Sequence, residues 1–121
     1  MLAKNPGGLE GEIQQVLFNL LINAGQLLSS ADEPAPRIEV HLRREGESVV
    51  ITVEDNGPGM DEEMSRRVFE PFFTTKDDVG GTGLGLSIAY FIVCDHHRGS
   101  MSVESVPDRG SVFTVRLPLK Q

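Results

Sequence analysis

Three carboxamides, Asn19, Asn23 and Gln26, stand at i, i+4 and i+7 of an amphipathic stretch, so they share one stripe of a helix. Asparagine is a poor helix former because its side chain competes for nearby backbone groups, so two stacked in mid-helix need a reason. One reason is a solvated polar face. The other is ligation of a hard cation such as magnesium, which takes carboxamide oxygens. Asp55 has the parity of Val49, Ile51 and Val53, which puts a carboxylate on the apolar side of a strand, at its end. A carboxylate turned inward requires a partner. It either caps the turn that follows or accepts from a donor such as the exocyclic amino group of adenine. Gly57 and Gly59, just beyond it, let the backbone approach a flat base closely.

A second group lies further on. Gly81-Thr82-Gly83-Leu84-Gly85 falls where a loop becomes a helix, and free amides at a helix start suit phosphate oxygens. A plain glycine-rich loop is the competing reading. Phe69, Phe72 and Phe73 bracket Pro71 outside any helical or strand period, so at least one ring should anchor the base of the loop in the core. Thr74, Thr75 and Lys76 fall on the loop itself, where a lysine either stays in solvent or closes over a phosphate. Cys94-Asp95-His96-His97 has the composition of a metal site but not its spacing, since helical ligands sit at i, i+3 or i+4. The dipole at a helix C-terminus accounts for those histidines more simply.

Local patterns supply the elements that must hold these residues. Ile13, Val16, Leu17, Leu20, Leu21, Ala24, Leu27 and Leu28 mark a helix over Leu9–Ser29, stopped by a loop over Asp32–Pro36. Ile38, Val40 and Leu42 alternate with polar residues as in a half-buried strand, and Glu45-Gly46-Glu47 reads as a hairpin turn. Ser48–Asp55 is a second strand running into the Asn56-Gly57-Pro58-Gly59 turn, and a short polar helix follows over Asp61–Val68. Glu70–Thr82 has no period and reads as a mobile, functional loop. Leu84, Ile88, Phe91 and Ile92 mark a further helix ending near Gly99, before two strands around the Pro107–Gly110 turn. Strands joined by tight turns pair antiparallel with helices on one face, which predicts an α+β two-layer sandwich.

The 121 residues fit one domain, and an apolar fraction of 39% fits one modest core. A net charge of -7 argues against nucleic acid as a partner, because phosphate contacts would have to dominate such binding. It does not exclude a nucleotide, which backbone amides and a metal ion can hold locally. Cys94 is the single cysteine, and neither a signal peptide nor a membrane-spanning run is visible, which suits a reducing cytoplasm and no direct membrane contact, whether or not a parent chain is membrane-anchored.

Taken together, four segments in order resemble the catalytic, ATP-binding domain of sensor histidine kinases, within the ATPase group that includes gyrase, the heat-shock chaperone and mismatch-repair ATPases. Gln15–Ala24 resembles the N box, Asp55–Met60 the first glycine box, Phe69–Lys76 the F box and Gly81–Ser87 the second glycine box. The resemblance covers Glu12–Pro118. It implies a Bergerat-type sandwich with a mixed, mainly antiparallel sheet, lacking the family's opening strand at its N-terminus. It also implies ATP and Mg2+ as ligands, with Asn19 and Asn23 at the metal and phosphates and Asp55 at adenine. Gln26, Gly57, Gly59, Phe72, Thr75, Lys76, Gly81, Thr82, Gly83, Leu84, Gly85 and Thr114 complete the implied nucleotide site.

The activity implied is protein histidine kinase: the γ-phosphoryl group passes to a histidine on a separate helical dimerisation domain, then to a response regulator aspartate. That acceptor domain, its general base and any sensor domain are expected outside residues 1–121, so this chain should bind ATP or ADP without phosphorylating itself. None of His41, His96 and His97 has the flanking residues of a phosphoacceptor. Departures from the family pattern are Gly25 and Gln26 after the N box, Arg98 where a glycine is expected, and Val112 in place of a threonine. A non-catalytic docking module and an anti-sigma serine kinase share parts of this pattern. The intact Asn23, Asp55 and glycine motifs disfavour the first, and Phe72-Phe73-Thr74-Thr75-Lys76 the second.

Overall fold

The structure, a computed structural model, describes residues 9–31, 34–71 and 85–119. Helix α1 (Leu9–Ala31) carries its apolar stripe onto the sheet, with Val16, Leu20 and Ala24 almost wholly buried. Strands β1 (Ile38–Glu45) and β2 (Ser48–Asp55) form the expected hairpin, turned at Gly46, whose φ of +60° is a conformation glycine adopts without cost. Helix α2 (Glu62–Arg67) is capped by Asp61, whose carboxylate accepts from the Met64 amide at 2.8 Å. Glu62 and Glu63 in its first turn and Arg66 and Arg67 in its last both complement the helix dipole.

The next helix is not uniform, as its sequence period had suggested. Helix α3 (Gly85–Phe91) widens into a π-helical turn over Ile92–His96, closed by the His97 amide on the Ile92 carbonyl at 3.2 Å. The chain then reverses through Arg98, which holds φ +57°, and Gly99, where an added Cβ would lie 2.1 Å from the Arg116 carbonyl oxygen. Arginine thus takes the left-handed conformation at the position where the family pattern has a glycine. Strands β3 (Ser100–Val106) and β4 (Gly110–Pro118) complete a four-stranded sheet of order β1-β2-β4-β3.

All three pairings among the described residues are antiparallel, and the helices cover one face, so the two-layer α+β sandwich is borne out. Register aligns Ile51 with Val115 and Met101, and Val53 with Phe113 and Val103. These rows meet Val16 and Leu20 of α1 and Ala89 and Val93 of the α3 segment in one core. Phe69 joins it, with its ring 4.9 Å from that of Tyr90 and 6.0 Å from that of Phe113, so one phenylalanine of the group is anchored in the core.

Strand β1 departs from expectation. Its alternation predicts a half-buried strand, yet Ile38, Val40 and Leu42 remain 36%, 44% and 69% exposed. They share the helix-side face with Asp55, Val53 and Ile51, their partners on β2. Helix α1 packs chiefly against α3 and β2 and reaches β1 only at its margin, so the apolar side of this edge strand lacks a covering layer among the described residues.

Candidate functional site

The site is built at one end of the two central strands. Asp55 closes β2 with only 3% of its surface exposed. Its Oδ1 accepts from the Gly57 amide at 2.9 Å, and its Oδ2 is buried without a partner among the described residues. Burial pushes this carboxyl above its ordinary pKa; the backbone hydrogen bonds from Gly57 and Ser111 oppose that shift, and the charge of Glu54 adds to it. An unpaired carboxylate oxygen in so dry a place is costly, and a hydrogen-bond donor from outside the protein would relieve it.

The glycine turn is held on every side. Asn56 accepts from the Arg37 amide at 2.7 Å and donates to the Ala35 carbonyl at 2.8 Å, tying the turn to the entry of β1. The Pro58 carbonyl accepts from the Asp108 amide at 2.7 Å, and the Met60 amide donates to Ser105 Oγ at 2.7 Å. Gly59 has φ +70°, and a Cβ there would sit 2.1 Å from the Val106 carbonyl oxygen. At Gly57 a Cβ would come within 3.0 Å of Asp55 Oδ1 and 3.5 Å of Leu28 Cδ2. The Val106 backbone thus requires glycine at Gly59, and a Cβ at Gly57 would crowd the Asp55 carboxylate.

Helix α1 supplies the second wall. Asn19 Nδ2 donates to the Gly85 carbonyl at 3.0 Å and its Oδ1 accepts from Gln15 Nε2 at 2.9 Å, so this side chain braces α1 against the start of α3. Asn23, one turn on, buries an Nδ2 that has no partner among the described residues. The carboxamide stripe is therefore not merely a solvated face: one member is structural and the next is left with a buried donor to satisfy. Gln26 is half-buried on the same stripe. At Gly85 an added Cβ would meet no atom within 4 Å among the described residues, so none of these requires glycine there.

Two further outcomes bear on the predicted set. Thr114 does not join this group. It has the parity of Val112 and Arg116, opposite to the buried Ser111, Phe113 and Val115, and so projects from the other face of the sheet. Phe72, Thr75, Lys76, Gly81, Thr82, Gly83 and Leu84 lie outside the described residues. What sequence reasoning missed is Ser111, 2% exposed and directly opposite Asp55 across the ladder. Its parity with Phe113, Val115 and Leu117 was the available signal, the same that drew notice to Asp55.

Away from this end, Glu12 of α1 receives His97 Nε2 at 2.6 Å and His96 Nδ1 at 3.0 Å, which clamps the helix to the π-helical turn. These histidines are ion-pair partners, and among the described residues no cluster of histidine, cysteine and carboxylate side chains is arranged to hold a metal ion. No helix among the described residues is long and apolar enough to cross a membrane.

Comparison with known proteins agrees with this geometry. The chain is 40% identical over 107 residues to the signal transduction histidine-protein kinase AtoS of Escherichia coli, covering 88% of this chain and 17% of that protein. It is 41% identical over 111 residues to the sensor protein TdiS of Thauera aromatica, covering 89% of this chain and 20% of TdiS. The chain therefore spans at most about a fifth of these relatives' length. Among solved structures, the nucleotide-free catalytic domain of histidine kinase ThkA superposes with a TM-score of 0.72 at 37% identity, over 88% of this chain and 67% of that one. The mycobacterial sensor histidine kinase MprB superposes with a TM-score of 0.78 at 26% identity, over 93% and 75%. The family model for histidine kinase-, DNA gyrase B- and HSP90-like ATPases matches residues 8–121, nearly the whole chain, and the chain belongs to that family.

Proposed function

We propose that this chain binds ATP with magnesium and donates the γ-phosphoryl group to a histidine on a separate helical domain, for relay to a response regulator aspartate. The observation that carries the reading is a pair of buried, unpartnered polar atoms, Asp55 Oδ2 and Asn23 Nδ2. One is an acceptor at the position the family resemblance gives to adenine. The other is a donor at the position it gives to the phosphates. Their chemistries match an amino group and a phosphoryl oxygen respectively.

Asp55, Gly57 and Gly59 hold the base, and Asn23 orients the phosphates. Gln26, Gly85 and the segment from Phe72 to Leu84, with Thr75, Lys76, Gly81, Thr82 and Gly83, complete the phosphate side. Magnesium would fall to Asn23 and Asn19, with Asn19 yielding its bond from Gln15 to do so. Bound magnesium would neutralise charge on the transferring phosphoryl group. In the transfer, an imidazole nitrogen of the acceptor forms a bond to the γ-phosphorus as the bond to the bridging oxygen breaks. ADP leaves, and the imidazole proton passes to a base on the acceptor domain. This chain's part is to bind, orient and exclude water.

The test mixes the chain with a separately made phosphoacceptor domain and radiolabelled ATP. Label is expected on the acceptor domain's histidine and not on this chain. Labelling of this chain alone would contradict the reading, and so would ATP binding with no transfer to any histidine-bearing domain of its relatives.

A further inference from the structure

Asp55 and two serines form one row across the sheet. Register pairs Asp55 on β2 with Ser111 on β4, and Ser111 with Ser105 on β3. Ser105 Oγ lies 2.7 Å from Ser111 Oγ, 3.1 Å from the Gly110 carbonyl and 2.7 Å from the Met60 amide. Proton bookkeeping fixes the direction of these bonds. A serine hydroxyl has one hydrogen and two lone pairs. The Gly110 carbonyl can only accept, so it takes the Ser105 hydrogen. The Met60 amide can only donate, so it fills one Ser105 lone pair. The remaining lone pair then receives the hydrogen of Ser111. Both serine hydrogens, the Met60 amide and the Gly110 carbonyl are satisfied in this arrangement, whereas the reverse direction leaves the buried Gly110 carbonyl without the Ser105 donor.

We infer that Ser105 is a positioning residue that turns the Ser111 hydroxyl proton away from the site, so that Asp55 and Ser111 together present only acceptors to a bound base. Such a wall favours a purine with a 6-amino group and rejects one with a 6-oxo group, whose lone pairs would face lone pairs. The inference rests on the nucleotide reading of the site. It differs from recognition by the Asp55 carboxylate alone in assigning part of the discrimination to a serine two strands away. Removing Ser105 frees the Ser111 hydrogen to swing toward the ligand, where it can donate to a 6-oxo group.

The experiment titrates the chain with magnesium and either ATP or its 6-oxo counterpart, inosine triphosphate, comparing the wild type with Ser105→Ala, Ser105→Thr and Ser111→Ala. The wild type should prefer ATP. Ser105→Ala should narrow that preference by about tenfold, the scale of one hydrogen bond, while Ser105→Thr keeps it. A merely structural role would weaken both nucleotides alike, and an unchanged ratio in Ser105→Ala would overturn the inference. If Ser105→Ala does not fold, Ser111→Ala decides, since loss of that hydroxyl should narrow the ratio similarly and an unchanged ratio again overturns the assignment. Wild-type protein that binds neither triphosphate refutes the nucleotide reading itself. Wild-type protein that binds both equally refutes the acceptor wall of Asp55 and Ser111, and with it the role of Ser105, while leaving nucleotide binding itself in place.

Discussion

At Asp55, burial and ionisation oppose each other, and this gives the protein a pH signature. Burial holds its native pKa above the ordinary value, so between the unfolded and native values the folded state binds more protons. Stability of the nucleotide-free chain should therefore fall as pH rises through that window. Asp55→Asn should remove this part of the slope and raise stability near neutrality by on the order of 1 kcal/mol, measured by urea unfolding across pH. The proposed contact with the base needs the ionised form, so ATP affinity of the wild type should weaken as pH is lowered, beginning above the ordinary carboxylate range. Asp55→Ala should lower affinity for ATP by about a hundredfold or more while the far-ultraviolet spectrum is retained; unchanged affinity would remove Asp55 from the site. Arg98 presents the opposite case, a residue whose own conformation is the cost. Its φ of +57° disfavours a side chain, so Arg98→Gly should stabilise the fold by about 1 kcal/mol, seen as a rise in Tm.

Among the elements, the hairpin of β3 and β4 buttresses the glycine turn proposed to carry the base contact. Gly59→Ala would drive a methyl group into the Val106 carbonyl, so a loss of about 2 to 4 kcal/mol in stability and a parallel loss of ATP affinity are expected. Calorimetry would distinguish this from loss of binding in an intact fold. The clamp between α1 and the π-helical turn has its own pH dependence. Desolvation raises the Glu12 pKa, but hydrogen bonds and charge from His97 and His96 outweigh it and hold the carboxyl below the ordinary value. Its contribution is thus present above the unfolded pKa and fades as pH falls through the native one. Glu12→Gln should cost about 1 kcal/mol near neutrality and nothing at strongly acid pH. The two strands of the first hairpin should also respond differently to truncation. Leu42→Ala on exposed β1 should change stability by no more than about 0.5 kcal/mol, whereas Val53→Ala on β2, facing the core, should cost about 2 kcal/mol or more.

For the molecule as a whole, a net charge of -7 means that an anionic nucleotide is held by local arrangement, against the general field. On the proposed reading, two buried atoms without a partner among the described residues, one on the first helix and one at the end of β2, would supply that arrangement from opposite layers of the sandwich. Nucleotide should accordingly stabilise the two layers together. Saturating ATP and magnesium should raise Tm by several degrees in the wild type and by much less in Asp55→Ala, as read by thermal unfolding. The chain spans at most about a fifth of its relatives AtoS and TdiS, so the histidine that would receive the phosphoryl group is proposed to stand on another domain.

The amino-acid order alone determined the chemistry-bearing positions whose signal is local. The i, i+4 spacing placed Asn19 and Asn23 on one stripe, and parity with Val53 turned Asp55 inward, because helix and strand periods are properties of a few consecutive residues. Only the tertiary structure decided which of these carry an unmet hydrogen bond. Asn19 is occupied by Gln15 and Gly85, and Asn23 Nδ2 finds no partner among the described residues, since that outcome depends on where the start of α3 comes to rest. The order β1-β2-β4-β3 likewise put Ser111 beside Asp55 and left β1 open at the edge. Cross-strand register joins residues far apart in the chain. It is fixed by the packing of the whole core, and no window of the sequence contains both partners.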